Sequence, residues 1–403
     1  MKGPWSGGVT ASGFIAGYTL AGVGSARLVV SRSPDLGSPV HSPSVSPDAD
    51  GAVLLSVDCL QAGSRYHFGV EADGRLLSAG RGEVRTFPVQ GRPASFSVAF
   101  GSCQKTVPTD VTYAAILARS GPTGRALQII HMGDLNYRDW SAGTTAAQVF
   151  GQHMVSLGSA SMAPTLARIP FEYTWDNHDW GGDTSDRTAP AGDVVAAVYR
   201  RVFPTYPLPA GDGRGAYRSW VIGRVRFVQI DTRSYRDPQS CPAGPAKTML
   251  GVEQKAWLKA QLLEPEPVKV LCGNYPWRAG SASGGRWGSY VHEFEELNVS
   301  VADMVGHLYV IFGDRHHLAA DSGVSKSGRG VPQAGGSPFQ RGTTSPGESW
   351  SQGTYGPSST TVQAYGWLDV TDSGDDITIS YEGVTSVDGT TRVAMKTVFA
   401  TDG

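Results

Sequence analysis

The feature that most constrains this chain is a pattern that occurs six times between residues 95 and 317. Each time, a short apolar run with strand character ends in a cluster of small and polar residues. FSVAF leads into Gly101-Ser102-Cys103-Gln104, and LQIIHM into Gly133-Asp134, with Asn136, Tyr137 and Asp139 close behind. FEYTW leads into Asp176-Asn177-His178-Asp179, VRFVQI into Asp231-Thr232-Arg233, and VKVLC into Gly273-Asn274. LYVIF leads into Gly313-Asp314-Arg315-His316-His317. Apolar runs of this length, bounded by turn residues, suit buried strands. In open α/β sheets, sites form outside the carboxyl ends of such strands. Gly, Asp and Asn are ordinary turn residues, so GNY or IDT alone reads as a turn. All six together ask for more, because Asp, Asn, His, Tyr and Cys are metal-ligating types, and buried charges must be paired or bound to metal.

The rest of the chain falls into two parts. Residues 1–90 alternate strand-like runs with turns: SARLVVS, AVLLSVDCL, SRYHFGVEADG and GEVRTF have strand character, and Asp73-Gly74 is a hairpin signal. A small β-sandwich is expected there, followed by the linker PVQGRPAS and a catalytic domain over 95–403. In that domain VTYAAILARSG and GVEQKAWLKAQLLE have helical spacing, the second with an apolar face through Val252, Trp257, Leu258 and Leu262. Strands mixed with helices give the fold class α/β. Residues 322–362, rich in Gly, Ser, Pro and Thr, are expected to form a long loop, either mobile or folded over a site. VQAYGWLDVTDSGDDITISYEGV reads as the two strands of a closing hairpin.

Composition narrows the partners. A net charge of -2 lacks a basic footprint, so bulk binding of nucleic acid is not expected. No apolar stretch is long enough to span a membrane. MKGPWSGGVTASG has neither an apolar signal core nor a twin-arginine pair, which leaves an intracellular protein or an exported one with its signal removed. Cys59, Cys103, Cys241 and Cys272 form no CxxC pair; they permit disulfides without demanding them.

Taken in order, FGSCQ, GDLNY, WDNHD, IDTRSYRD, LGVEQKAWL and FGDRHH resemble the motifs of the PhoD-like branch of the metallophosphatase superfamily. SWSQGTYGPSST resembles a loop of the same relatives. The resemblance implies a four-layer αββα sandwich behind a small immunoglobulin- or fibronectin-like β-sandwich. It implies an alkaline phosphatase acting on phosphoesters through a metal centre of two or more ions, with iron and calcium first and Mn, Zn or Mg as other metals. By the same resemblance Asp134 bridges two ions, and Cys103 and Tyr137 ligate the first as thiolate and phenolate. Asn177 ligates the second through its amide oxygen, and Asp314 and His316 complete the set. By the resemblance His178 stands beside the metals and protonates the leaving alkoxide or stabilises the transition-state charge, with Asp134 and Asn177 as its partners in catalysis; its chain neighbour Asp176 is a candidate to orient it.

This chain also departs from the pattern. Asn177 replaces the Asp of PhoD-like relatives and removes a negative charge, which puts calcium at that position in question. Arg315 stands where relatives carry a small or aliphatic residue; strand alternation would turn it away while Asp314 and His316 face the metals. Arg233 and Arg236 read equally as clamps on substrate phosphate or as salt-bridge partners of Asp231 or Asp237. Cys103 is open to three readings: a ligand, a small buried hydrophobe, or a nucleophile with His178 as its base. His317 is a candidate support for the ligands, and Asn274 a candidate neighbour of the site. His131 is expected to pack in its strand and His292 to lie exposed on a helix. The rival functions are a phosphodiesterase or phospholipase D-like enzyme acting on lipid or nucleotide diesters, a thiol hydrolase, and a non-catalytic binding protein.

Overall fold

The six apolar runs all form strands, and they sort into two parallel triplets. In the computed structural model, which describes residues 1–109, 111–278, 286–324, 329–344, 347, 349–357 and 361–401, Phe96–Gly101, Ala126–Met132 and Phe171–Thr174 lie side by side. Val225–Gln229, Val268–Gly273 and His307–Phe312 form the second triplet. The first is extended into a six-stranded sheet by the antiparallel strands Ala364–Asp372, Asp376–Thr385 and Thr391–Ala400. The first two of these are the expected hairpin; the third adds an outer strand. The second triplet belongs to a seven-stranded sheet.

Side-chain alternation then builds the layers. Val98, Phe100 and Ile130 of the first sheet share one core with Phe227, Val270, Tyr309 and Ile311 of the second. Their sequence neighbours Ala99 and Ile129 face the other way, onto the helices Thr112–Ser120 and Gly192–Val202. Val228, Leu271 and Val310 likewise face the helices Gly251–Leu262 and Val291–Ala302. Helix, sheet, sheet, helix is therefore the stacking order, as expected, because each strand is buried on both faces.

Two local expectations are corrected. Val252 is 79% exposed, and the buried stripe of its helix runs through Gln254, Leu258 and Leu262, with Trp257 half-buried at its margin. Gln254 takes an inward position because its amide group bonds both the N–H and the C=O of Asp231, at 2.7 and 2.8 Å. Residues 322–362 are not one long loop. Gln333–Gly336 is a buried strand in the second sheet, parallel to His307–Phe312. Its glycines are there because rings crowd the strand: a Cβ on Gly335 would sit 2.6 Å from the Phe312 ring, and one on Gly336 2.6 Å from the Phe100 carbonyl oxygen. Parts of this segment, including residues 358–360 at the end of SWSQGTYGPSST, lie outside the described residues.

Residues 2–85 supply two small antiparallel sheets, and Asp73-Gly74 forms the turn between Arg65–Ala72 and Arg75–Leu76. Their apolar core is continuous with the core between the large sheets. Trp5 donates its indole N–H to the Val202 carbonyl at 2.8 Å. Gly8 N–H donates to Glu172, whose other oxygen pairs with Arg218 at 3.2 Å, both acid and base wholly buried.

Candidate metal centre

The carboxyl ends of both triplets meet at one place, and the chain turns sharply there. Cys103 (φ 61°), Asp134 (φ 53°), Asp314 (φ 57°) and His316 (φ 52°) all have left-handed backbone. Such residues cost of order 1–3 kcal/mol each and persist where the surroundings over-determine them, often at functional sites. Close approaches explain how the ends are drawn together. A Cβ on Gly133 would sit 2.3 Å from Cβ of Asp176, and one on Gly313 2.6 Å from Oγ of Ser102. Backbone bonds tie Cys103 N–H to Gly133 O and Gln104 N–H to Asp134 O, and Ser102 Oγ accepts from Asp314 N–H at 3.0 Å.

Within this junction the predicted ligands converge. Asp134 Oδ2 accepts from the Tyr137 hydroxyl at 2.9 Å and faces Cys103 Sγ at 3.5 Å. The Tyr137 hydroxyl is 3.4 Å from His316 Nε2. Cys103, Asp134 and His316 offer ligand atoms within 4.8 Å of one another. His316 Nδ1 lies 2.8 Å from the Gly342 carbonyl oxygen, which can only accept. Nδ1 therefore carries the proton, and the Nε2 lone pair is left for the cluster. Asn177 is 7% exposed, and its Oδ1 is buried with no hydrogen-bond partner among the described residues. Asp314 stays outside the tight group, half-buried, with its charge acting on Cys103 and Asp134.

The electrostatics ask for a cation. Burial pushes the Cys103 thiol far up, and the charges of Asp134 and Asp314 push it further. Burial and the Asp179 carboxylate raise Asp134. Burial and Asp134 raise the Tyr137 phenol well above its usual range. A metal ion reverses all three shifts at once by favouring the deprotonated ligands. A sulfur, a carboxylate, a phenol, an imidazole and an orphaned amide oxygen thus make a donor set that fits metal.

The remaining candidates are placed as follows. His178 Nδ1 meets Asp139 Oδ1 at 2.5 Å and its Nε2 meets Asp183 Oδ1 at 3.1 Å; its ring lies 4.1 Å from the Tyr137 ring. Asp176 therefore does not orient it. Asp176 instead precedes the turn Asn177–Trp180 and pairs with Arg233 Nε at 2.7 Å. Arg233 is buried in that pair, so its guanidinium is not laid open to substrate, and its partner is neither of the acids expected from the sequence. Arg236 donates to the Tyr290 hydroxyl at 2.8 Å and to Tyr275 at 3.3 Å, while Asp237 pairs with Arg187 at 2.9 Å. Arg315 is buried, 7% exposed, and lies beyond the end of the strand at Phe312, in the turn that carries Asp314 and His316. His317 is fully buried beside Trp350. Asn274 braces the junction, bonding Thr232, Met132 O and Trp175 O. Among the described residues no hydrogen bond joins Cys103 to His178, whose nitrogens face carboxylates, and the Cys103 thiol is raised rather than activated, which disfavours the nucleophile. His131 packs against Phe171, Tyr173 and Phe339, His292 is exposed, and all four cysteines are free. The sequence pointed to Asp139 only as a nearby polar residue, and Asp183 carried no signal at all.

A two-sheet sandwich with this cluster at its strand ends is the architecture of a metallophosphatase, and the comparisons agree. The PhoD-like phosphatase family profile matches residues 98–323, more than half of the chain, so the protein belongs to that family. Alkaline phosphatase D of Bacillus subtilis (strain 168) is 24% identical over 272 residues, 58% of this chain and 44% of that protein. The chain thus spans under half the length of that curated relative. The solved structure of PhoD superposes with a TM-score of 0.74 at 18% identity, covering 98% of this chain and 88% of its own. Purple acid phosphatase PPD1 from yellow lupin seeds superposes with a TM-score of 0.69 at 14% identity, covering 98% and 73%. These likenesses establish the fold. Among the described residues no helix is long and apolar enough to cross a membrane.

Proposed function

We propose that this protein is a metal-dependent phosphoester hydrolase whose ions are held by Cys103, Asp134, Tyr137, Asn177, Asp314 and His316. The observation that carries this is the convergence of Cys103, Asp134, Tyr137 and His316, together with the unpartnered oxygen of Asn177, whose chain neighbour His178 donates its backbone N–H to Asp134 Oδ1 at 3.3 Å. Metal ions bound there would neutralise phosphoryl oxygens and make water a nucleophile at neutral pH. The thiolate and phenolate favour iron at their end, and Asn177 offers the ion at the other end a neutral amide oxygen in place of a carboxylate, which weakens the case for calcium there relative to another divalent ion.

His178 supplies the proton for the leaving alkoxide. Burial works to lower its pKa, but the Asp134 charge and the Asp139 hydrogen bond outweigh it, and the net shift is upward. Asp139 fixes Nδ1, whereas Asp183, 85% exposed, holds Nε2 only at the surface. Nε2–H is therefore the proton that an arriving substrate can displace from its partner and accept. The phosphate of a small-molecule monoester fits this site, and a diester remains the second reading because nothing in the cluster counts substituents on phosphorus.

Elemental analysis of the purified protein, beside Cys103→Ser, tests the centre. Two or more metal equivalents including iron, with iron lost in the variant, are expected, together with hydrolysis of p-nitrophenyl phosphate, bis(p-nitrophenyl) phosphate or both. A protein that takes up no metal after incubation with iron and calcium, and cleaves neither ester, overturns the proposal.

A further inference from the structure

With Arg233 and Arg236 committed to buried partners, the cluster needs another group to hold substrate phosphate, and one stands at its mouth. Arg341 opens the short strand Arg341–Gly342, which pairs with Thr361–Val362. Its guanidinium carbon lies 3.5 Å from the centroid of the Tyr137 ring. His178 lies 4.1 Å from the same centroid. Two groups that close to one ring cannot share a face, so Tyr137 is held between the proposed acid and a guanidinium. The backbone beside it is anchored to the site, because Gly342 O accepts the proton of His316 Nδ1. Arg341 is half-buried, and among the described residues no carboxylate or carbonyl is bonded to its guanidinium.

A guanidinium held over a ring face through its central carbon does not commit its five N–H donors to hydrogen bonds there. Its donor edges stay free for a planar pair of acceptors, the geometry of two non-bridging phosphate oxygens. The stack also fixes where those edges are, which lowers the entropy cost of engaging them. We propose that Arg341 is the residue of this site that binds substrate phosphate, donating to two of its non-bridging oxygens. The inference rests on the hydrolase function proposed above. It reaches past the family match, which ends at residue 323. A monoester carries more charge on those oxygens than a diester, so Arg341 favours monoesters.

The test compares wild type, Arg341→Lys and Arg341→Gln with metal content measured in each. Kinetics on p-nitrophenyl phosphate and bis(p-nitrophenyl) phosphate are combined with calorimetric binding of inorganic phosphate. In Arg341→Gln the KM for the monoester and the Kd for phosphate are expected to weaken about 10- to 100-fold, the loss of charge-assisted hydrogen bonds. The diester should lose less, kcat and metal content should hold, and Arg341→Lys should recover part of the affinity. Phosphate affinity and monoester KM unchanged within about twofold in Arg341→Gln overturn the inference while leaving the hydrolase intact. Loss of metal in both variants, with Lys no better than Gln, also overturns it, and makes Arg341 a brace for Tyr137. A wild-type protein that neither binds phosphate nor cleaves either ester overturns the hydrolase function itself.

Discussion

Replacing Arg233 by Met would leave the Asp176 carboxylate in a buried site without its counter-charge. The pair meets at 2.7 Å, with side chains 3% and 1% exposed, so solvent cannot take over the role of the guanidinium. Burial already pushes Asp176 upward, and Arg233 is the main charge opposing that push. Removing one partner of a buried pair costs about 3–5 kcal/mol. With an unfolding entropy of about 2.1 cal/mol/K per residue, a chain of 403 residues loses about 4–6 °C of Tm for that cost. Asp176 also begins the turn that carries Asn177 and His178, so metal retention should fall with stability. The assay is calorimetric melting of Arg233→Met, Asp176→Asn and the double variant. The double variant should be more stable than Arg233→Met, because it leaves no stranded charge, and the cycle should show a coupling energy well above about 0.5 kcal/mol. A Tm shift under about 1 °C in Arg233→Met, or strictly additive effects, would refute the buried-pair argument.

Acid stability and the sheet contact offer two further checks. His153 is buried, which pushes its pKa down to about 3, against about 6.5 in an unfolded chain. The unfolded chain binds the extra proton between those values, so stability present above about pH 6.5 is lost on acidification, by up to about 1.4 kcal/mol per pH unit. His153→Phe, which keeps the ring packing on Phe203, should move the acid-unfolding midpoint to lower pH and change little near pH 8; a midpoint that stays put or rises counts against it. Gly336→Ala would place a Cβ 2.6 Å from Phe100 O and 2.8 Å from Gly366 N, both backbone atoms that cannot step aside. It should cost about 1–3 kcal/mol or more, read as a lower Tm, and an unchanged Tm would contradict the close packing of the sheets.

The parts of this molecule that were legible in its sequence are those that one segment settles for itself. The six apolar runs became strands because nothing else buries LYVIF or LQIIHM on both sides, and their polar ends had to meet once two sheets stacked. Partner choice was not legible. Arg233 stands two residues from Asp231 in the chain, but its guanidinium bonds Asp176, which a different strand delivers. His178 takes Asp139 and Asp183 instead of its neighbour Asp176, because Asp176 lies on the buried side of the same turn. Gln333–Gly336 was hidden by composition, since a strand crowded by Phe100 and Phe312 must be made from small residues and so imitates a loop. Arg341 had no motif around it, only a place beside Tyr137 that the fold alone creates.

The left-handed backbone at Cys103, Asp134, Asp314 and His316 limits which residues can ever replace them. Apart from glycine, that conformation is tolerated best by Asp, Asn and His, whose short polar side chains bond locally, and it resists branched or bulky ones. Three of the four positions already draw on that short alphabet. Under the proposed function, substitutions at Asp134, Asp314 and His316 that respect the backbone are exchanges among Asp, Asn and His, and a longer carboxylate such as Glu is handicapped by its main chain before its reach is even considered. Cys103 is the exception. Cysteine lies outside that alphabet, so the turn does not itself select the sulfur; Cys59 holds the same conformation (φ 64°) on the exposed surface, and under the proposed function the buried Cys103 differs from it in having the cluster of carboxylate, phenol and imidazole to serve.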